Sequence, residues 1–324
     1  MARFLALSYE GYSNTNIGDY IQSLAAMQFY DDRDYDYFHR DELGKYHGES
    51  CKAILNGWYT HQPENWPPSS LIDPLFVAFH MNSGSYDCIL SDESINYLKK
   101  HEPIGCRDEN TASKLRERGI DAYFSSCLTT TLGYKYSKNT ERNGICIVDP
   151  VHYVPEANRR FQKYILLLQG IRYARGIKHY IKSLKQNNNY ILKWNNRGLK
   201  RLLGIIRSYI IVRQLLPPKQ LRGATIITQF NYAEEYPTRE SRFKRAKELL
   251  ELYSTAELVI TSRIHCALPC LGLNTPAIFL QNMEDSEEST CRFSGLLDLL
   301  NVIKFKRNNI LNNQFGIPLN PNSI

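Results

Sequence analysis

Four short stretches carry residue types that could handle an anion or move a proton. In Thr261-Ser262-Arg263-Ile264-His265, an apolar run from Leu258 ends where a helical pattern from Arg263 to Leu271 begins. The first turn of a helix presents free N–H groups and the positive end of its dipole, so it suits an anion and disfavours cations. Arg263 and His265 make chemical sense there if a negative ligand neutralises them. The structural alternative has Ser262 capping the helix and Arg263 pointing into solvent. A second arginine, Arg107, lies at another strand-to-helix turn, Gly105-Cys106-Arg107-Asp108. Asp108 reads as the helix N-cap, while Arg107 either pairs with an acid or faces the same ligand as Arg263.

The third stretch is Asn16-Ile17-Gly18-Asp19. Asn16 with an acid three residues later is a cap-like pairing. Gly18 would let a ligand approach the backbone, and Asp19 could accept a proton from a hydroxyl. In the fourth, His80 ends the apolar run Phe76-Val77-Ala78-Phe79 and precedes a Gly/Ser loop, as a cleft residue or a structural histidine would.

The elements that must position these groups follow from periodicity. Apolar runs of strand length alternate with helical patterns, as in parallel-sheet α/β domains. Strands are predicted over residues 4–9, 53–58, 75–80, 103–106, 122–127, 144–149, 224–230, 258–261 and 276–280. Helices are predicted over 17–30, 91–100, 108–118, 239–253 and 263–271. The polar run from Tyr136 to Asn143 reads as a linker. The expected organisation is α/β: two Rossmann-like domains, 1–138 and 139–324, in a GT-B-like arrangement with an interdomain cleft. Ligands of such sheets bind beyond the carboxyl ends of the strands, where all four stretches fall. Both arginines are expected to face that cleft.

Length and composition agree with an ordered protein of this size: 324 residues, 43% hydrophobic, with 22 tyrosines. The amino terminus turns polar too soon for a signal peptide, and no apolar run is long enough to span a bilayer. Eight cysteines without a CxxC pair point to a reducing cytoplasm. His265, Cys266 and Cys270 lack a second ligand pair, which argues against zinc. The net charge of +7 is concentrated. Between Glu156 and Arg222 lie 16 Lys and Arg and one acid, and the rest of the chain is net acidic. This basic insertion, with Tyr164, Ile165, Leu167, Leu168, Ile171 and Tyr173, then Leu202, Leu203, Ile205, Ile206, Tyr209, Ile210 and Ile211 among the cations, suits amphipathic helices. They would either lie on the inner face of an anionic membrane or pack on the sheets with a solvated basic face. Nucleic acid is not expected, because no binding motif accompanies the charge.

Asn16-Ile17-Gly18-Asp19, the Cys106-Arg107-Asp108 turn with Lys114 to Gly119 after it, and Thr261-Ser262-Arg263-Ile264-His265 together resemble the polysaccharide pyruvyl transferase family in type and order. The resemblance implies transfer of a pyruvyl group from phosphoenolpyruvate to a sugar, forming a cyclic ketal in capsular or exopolysaccharide biosynthesis. A lipid-linked galactose-type residue is one acceptor, and neither metal nor nucleotide cofactor is involved. It places donor-binding roles on Arg107, Arg263 and His265, and a further one on His80. Asn16, Gly18 and Ser262 are expected to line the substrate site, with His265 as general acid and Asp19 as general base. Many relatives carry an Asp-Pro pair where this chain has Ser125-Ser126-Cys127-Leu128-Thr129-Thr130-Thr131, so no acid acts at that point.

Two other classes compete. A GT-B glycosyltransferase using a nucleotide sugar would need acids for the ribose, and Glu284, Asp285, Glu287 and Glu288 read more naturally as a loop. A non-catalytic carbohydrate or lipid-carrier binding protein would have no use for Arg107, Arg263 and His265 together.

Overall fold

The computed structural model describes residues 3–11, 14–30, 34–59, 61–81, 83–138, 140–151, 160–192, 198–286, 290–316, 319 and 324. The chain divides into two compact units. The first holds residues 1–136, 236–247 and 285–299, and the second holds the remainder. The sequence suggests a single boundary at 138/139. The two later segments that return to the first unit carry no polar linker to mark them, and one begins a continuous helix, Arg239–Thr255.

In the first unit, β1 (Arg3–Ser8) is followed by α1 (Ile17–Met27), β2 (Tyr35–His39), β3 (Cys51–Leu55) and β4 (Ile72–Phe76). These strands form a parallel sheet in the order β2-β1-β3-β4. Then come α2 (Asp92–Lys99), β5 (Ile104–Cys106), α3 (Glu109–Glu117) and β6 (Ala122–Phe124), with β5 and β6 paired in parallel. The strand predicted over 75–80 lies earlier, at 72–76, because the chain turns at Ala78, which takes φ +57. That left-handed backbone is uncommon for a residue with a Cβ. Ser125 Oγ accepts the Ala78 N–H at 3.0 Å and holds the turn. The chain passes close to Gly105: a Cβ there would come within 3.2 Å of the Phe76 carbonyl and the Ser125 Cβ.

The second unit begins with β7 (Ile145–Val148), followed by the helices of the basic segment: α4 (Arg160–Arg172), α5 (Ala174–Gln186), α6 (Gly198–Arg213) and α7 (Pro218–Gly223). It continues with β8 (Thr225–Ile227), β9 (Leu258–Thr261), α8 (Ile264–Gly272), β10 (Ala277–Asn282), β11 (Asn301–Lys306) and β12 (Asn309–Asn312). Its six-stranded sheet runs β12-β11-β10-β9-β7-β8, parallel except for the β11–β12 hairpin. The apolar residues of β7 to β11 pack with α5, α6 and α7 in one core. From Leu203 to Val212 every residue of α6 is buried. This corrects part of the amphipathic expectation: Leu203, Ile205, Ile206, Tyr209, Ile210 and Ile211 are buried rather than presented to a membrane. Arg207 is buried with them and is held by Glu284 at 3.0 Å.

All eight cysteines are free. Among the described residues, no helix is long and apolar enough to cross a membrane, and no cluster of His, Cys, Asp or Glu could hold a metal.

Candidate active site

Parallel pairing explains how His80 and Arg107 meet. Phe79 bridges Cys106 in parallel, with Phe79 N–H donating to the Gly105 carbonyl and Arg107 N–H to the Phe79 carbonyl. The residues that follow, His80 and Arg107, therefore leave the strand ends side by side. Arg107 Nη1 donates to His80 Nε2 at 2.5 Å. A guanidinium can only donate, so Nε2 must be the acceptor and the imidazole must be neutral. Its Nδ1 then carries the proton and faces the Ala78 carbonyl at 3.3 Å. Trp58 stacks parallel to the ring, with centroids 6.4 Å apart.

Arg107 is 2% exposed, and burial holds its pKa below the ordinary arginine value, with Asp108 opposing. The Asp108 contact is long, 3.5 Å from Nη2, because that carboxylate also caps α3, accepting from the backbone and hydroxyl of Thr111. Nη2 also donates to the Arg292 carbonyl at 3.3 Å. Arg107 Nε has no hydrogen-bond partner among the described residues. A buried guanidinium with an unused donor is costly unless a ligand completes it.

Arg292 adds a second cation. Burial, and then repulsion from Arg107, pull its pKa down to about 10. Sequence reasoning passed over it. It lies in a short turn, Cys291–Phe293, some 185 residues beyond Arg107, and no local pattern marks it.

Asp19 opens α1. Asn16 is the N-cap, as expected, accepting the Gly18 N–H at 3.1 Å. Its amide Nδ2 donates to Asp19 Oδ1 at 3.3 Å, and Gln22 Nε2 donates to the same oxygen at 3.4 Å. Asn16 and Gly18 thus orient Asp19 through the helix start. Burial raises the Asp19 pKa, while Arg40 and Arg292 oppose it. Arg40 is itself buried and tied to Asp41 by two 2.9 Å bonds. Burial works against its charge, but the Asp41 carboxylate outweighs this and raises its pKa. Arg40 is neutralised at close range. Arg107 is not.

In the second unit the same pairing logic acts at β9. Thr261 pairs with Val148, so Ser262 and Asp149 emerge next to each other. Ser262 does not cap the helix; its hydroxyl donates to the Asp149 carbonyl at 2.7 Å. The N-cap is Arg263, in extended conformation, rather than a first-turn residue as predicted. Arg263 Nε donates to Asp149 Oδ2 at 3.2 Å, the guanidinium lies 3.9 Å from the Phe230 ring centroid, and the side chain is 11% exposed. Neither sequence reading, solvent nor a ligand alone, included this carboxylate. Asp149 was legible only as a strand end. It sits at φ +40 and also accepts the Gln229 N–H at 2.9 Å. His265 is half-buried with non-helical φ −79, ψ 15, and its carbonyl accepts from Gln229 Nε2 at 2.9 Å.

A family model described as polysaccharide pyruvyl transferase matches residues 16–283. The chain belongs to that family. The match covers all eight predicted site residues, from Asn16 to His265. No curated protein matches the chain. Among solved structures, this polysaccharide pyruvyl transferase family member is similar to UDP-GlcNAc 2-epimerase from Methanocaldococcus jannaschii, in complex with UDP-GlcNAc and UDP. That likeness has a TM-score of 0.42 at 12% identity, covering 98% of this chain and 96% of that one.

The Ser125 stretch has a structural job. Ser125 Oγ accepts from Ala78 N–H and donates to the Cys106 carbonyl at 3.1 Å, fastening the strand ends that carry His80 and Arg107.

Proposed function

We propose that the chain transfers a pyruvyl group from phosphoenolpyruvate to two hydroxyls of a polysaccharide sugar, forming a cyclic ketal. One observation carries the reading: the buried Arg107 guanidinium, hydrogen-bonded to a neutral His80 and crowded by Arg292, keeps an unused donor. Such a cluster favours a small multiply charged anion. Arginine forks match both the carboxylate and the phosphate of phosphoenolpyruvate.

The chemistry balances without a redox partner. The methylene carbon gains a proton, one sugar oxygen bonds to the adjacent carbon, the C–O bond to phosphate breaks, and the second sugar oxygen closes the ring. Two hydroxyl protons are released; one is matched by the proton delivered to carbon and the other leaves with inorganic phosphate. Asp19, with its raised pKa, is assigned the hydroxyl proton. His265 is assigned the proton given to the methylene carbon, and Arg263 an anion contact, as the family resemblance implies.

The test incubates the protein with phosphoenolpyruvate and candidate polysaccharide or lipid-linked acceptors. Phosphate release coupled to an acceptor mass gain of pyruvate less water supports the reading. Glycosyl transfer from a nucleotide sugar, without phosphoenolpyruvate use, refutes it.

A further inference from the structure

The helices of the basic segment leave an apolar face uncovered. On α4, Tyr164, Leu168 and Ile171 are 63%, 66% and 74% exposed. Their spacing of four and three places them on one helix face. Leu199 and Leu202 of α6 are exposed as well. An apolar groove of about 360 Å³ runs among α4, α5 and α6, lined by Leu167, Ile171, Ile177, Leu202 and Ile206, with Lys178 its one charged residue.

Cations frame this face. At 100° per residue, Lys163 and Arg172 fall on opposite sides of the Tyr164–Leu168–Ile171 stripe. Arg175, Lys178, Lys182 and Lys185 are exposed along α5. No acidic residue occurs between 157 and 222. A second copy of the chain docked through the same face would set these cations against themselves. Duplex nucleic acid would meet aliphatic side chains at the centre of the face, which offer its phosphates nothing.

We propose that this face docks on an anionic bilayer surface. Tyr164, Leu168, Ile171 and Leu202 enter the headgroup–acyl boundary, and Lys163, Arg172, Arg175 and Lys178 meet the anionic headgroups. The half of α6 from Leu203 onward stays in the protein core and takes no part. The inference does not depend on the transferase reading, because its readout is binding.

Flotation of the full chain with phosphatidylcholine vesicles, and with vesicles that also contain phosphatidylglycerol, tests it. The protein is expected to float with the anionic vesicles alone, and less so at high salt. Leu168→Ser with Ile171→Ser should lower vesicle partitioning at least about tenfold. Lys163→Glu with Arg172→Glu should do the same. All four positions are exposed, so unchanged thermal midpoints should accompany both losses. Failure to float, equal binding to neutral vesicles, variants that partition like wild type, or duplex DNA bound as strongly as the vesicles overturns the proposal. So does a dimer that Leu168→Ser with Ile171→Ser disperses.

Discussion

Arg107 Nη1 lies 2.5 Å from His80 Nε2, so a buried cation is held by an imidazole that contributes no charge of its own. The pair orients a guanidinium without neutralising it. Arg107→Ala should lower kcat/KM for phosphoenolpyruvate by about 10²–10³. His80→Phe, which keeps the ring but loses the acceptor, should mainly raise KM. Nitrogen-15 spectra of the wild type should place the His80 proton on Nδ1. A proton found on Nε2 would contradict the arrangement.

Arg292 shares its surroundings with Arg107, and its pKa is pulled down to about 10 by burial and by that neighbour. A bound dianion reverses the penalty, so ligand and proton bind together. Phosphoenolpyruvate affinity, measured by calorimetry, should therefore weaken as pH rises through about 10. Arg292→Gln should remove that step and weaken binding at neutral pH. An unchanged alkaline profile in Arg292→Gln would exclude Arg292 from the anion site.

Asp19 has a folded pKa raised by burial, so the folded state holds its proton more tightly than the unfolded chain. Its contribution to stability is present at low pH and is lost as pH rises from the ordinary carboxylate value through the folded one. Asp19→Asn should thus be more stable than wild type at neutral pH, with the gain vanishing in acid. As a general base, Asp19 must be ionised. The acid limb of kcat/KM should then lie above the usual carboxylate range and disappear in Asp19→Asn. Full activity in that variant would remove Asp19 from the chemistry.

Arg263 is steered by Asp149, whose carboxylate also fixes the Gln229 backbone. Asp149→Asn keeps the size and the tolerance for positive φ but loses the charge. It should cost about 1–3 kcal/mol, the worth of a charged hydrogen bond in a mostly buried setting. Denaturant unfolding reads this directly. In activity, the loss should appear as a raised KM. A melting midpoint and KM both unchanged would mean that Asp149 does not position the arginine.

How far the sequence reveals this site depends on how local each signal is. Asn16 and Asp108 as N-caps follow from neighbours within three residues, and both hold. The strand Leu258–Thr261 is likewise found at its predicted limits, because an apolar run stops at a turn. What escapes is long-range. Asp149 meets Arg263 only through sheet register, and Arg292 reaches Arg107 across most of the chain. The strand Tyr35–His39 was not predicted at all: its residues are half-buried Tyr, Asp, Tyr, Phe and His, without the continuous apolar run that marked the others.

The basic segment divides the same way, and stability can separate its two halves. Ile211 on α6 is fully buried in the second unit's core, whereas Leu168 on α4 is two-thirds exposed. Removing Ile211 to alanine deletes packed methylenes and leaves a cavity, at a cost of about 2–5 kcal/mol. Leu168 lies outside the buried core, and Leu168→Ser should fall within about 0.5 kcal/mol of wild type. Urea unfolding of both variants checks the contrast. A small Ile211 effect would mean that α6 is not part of the core, and a large Leu168 effect would mean that α4 is covered in solution. The expected pairing, large then negligible, is what a segment anchored by one helix and presenting another must give.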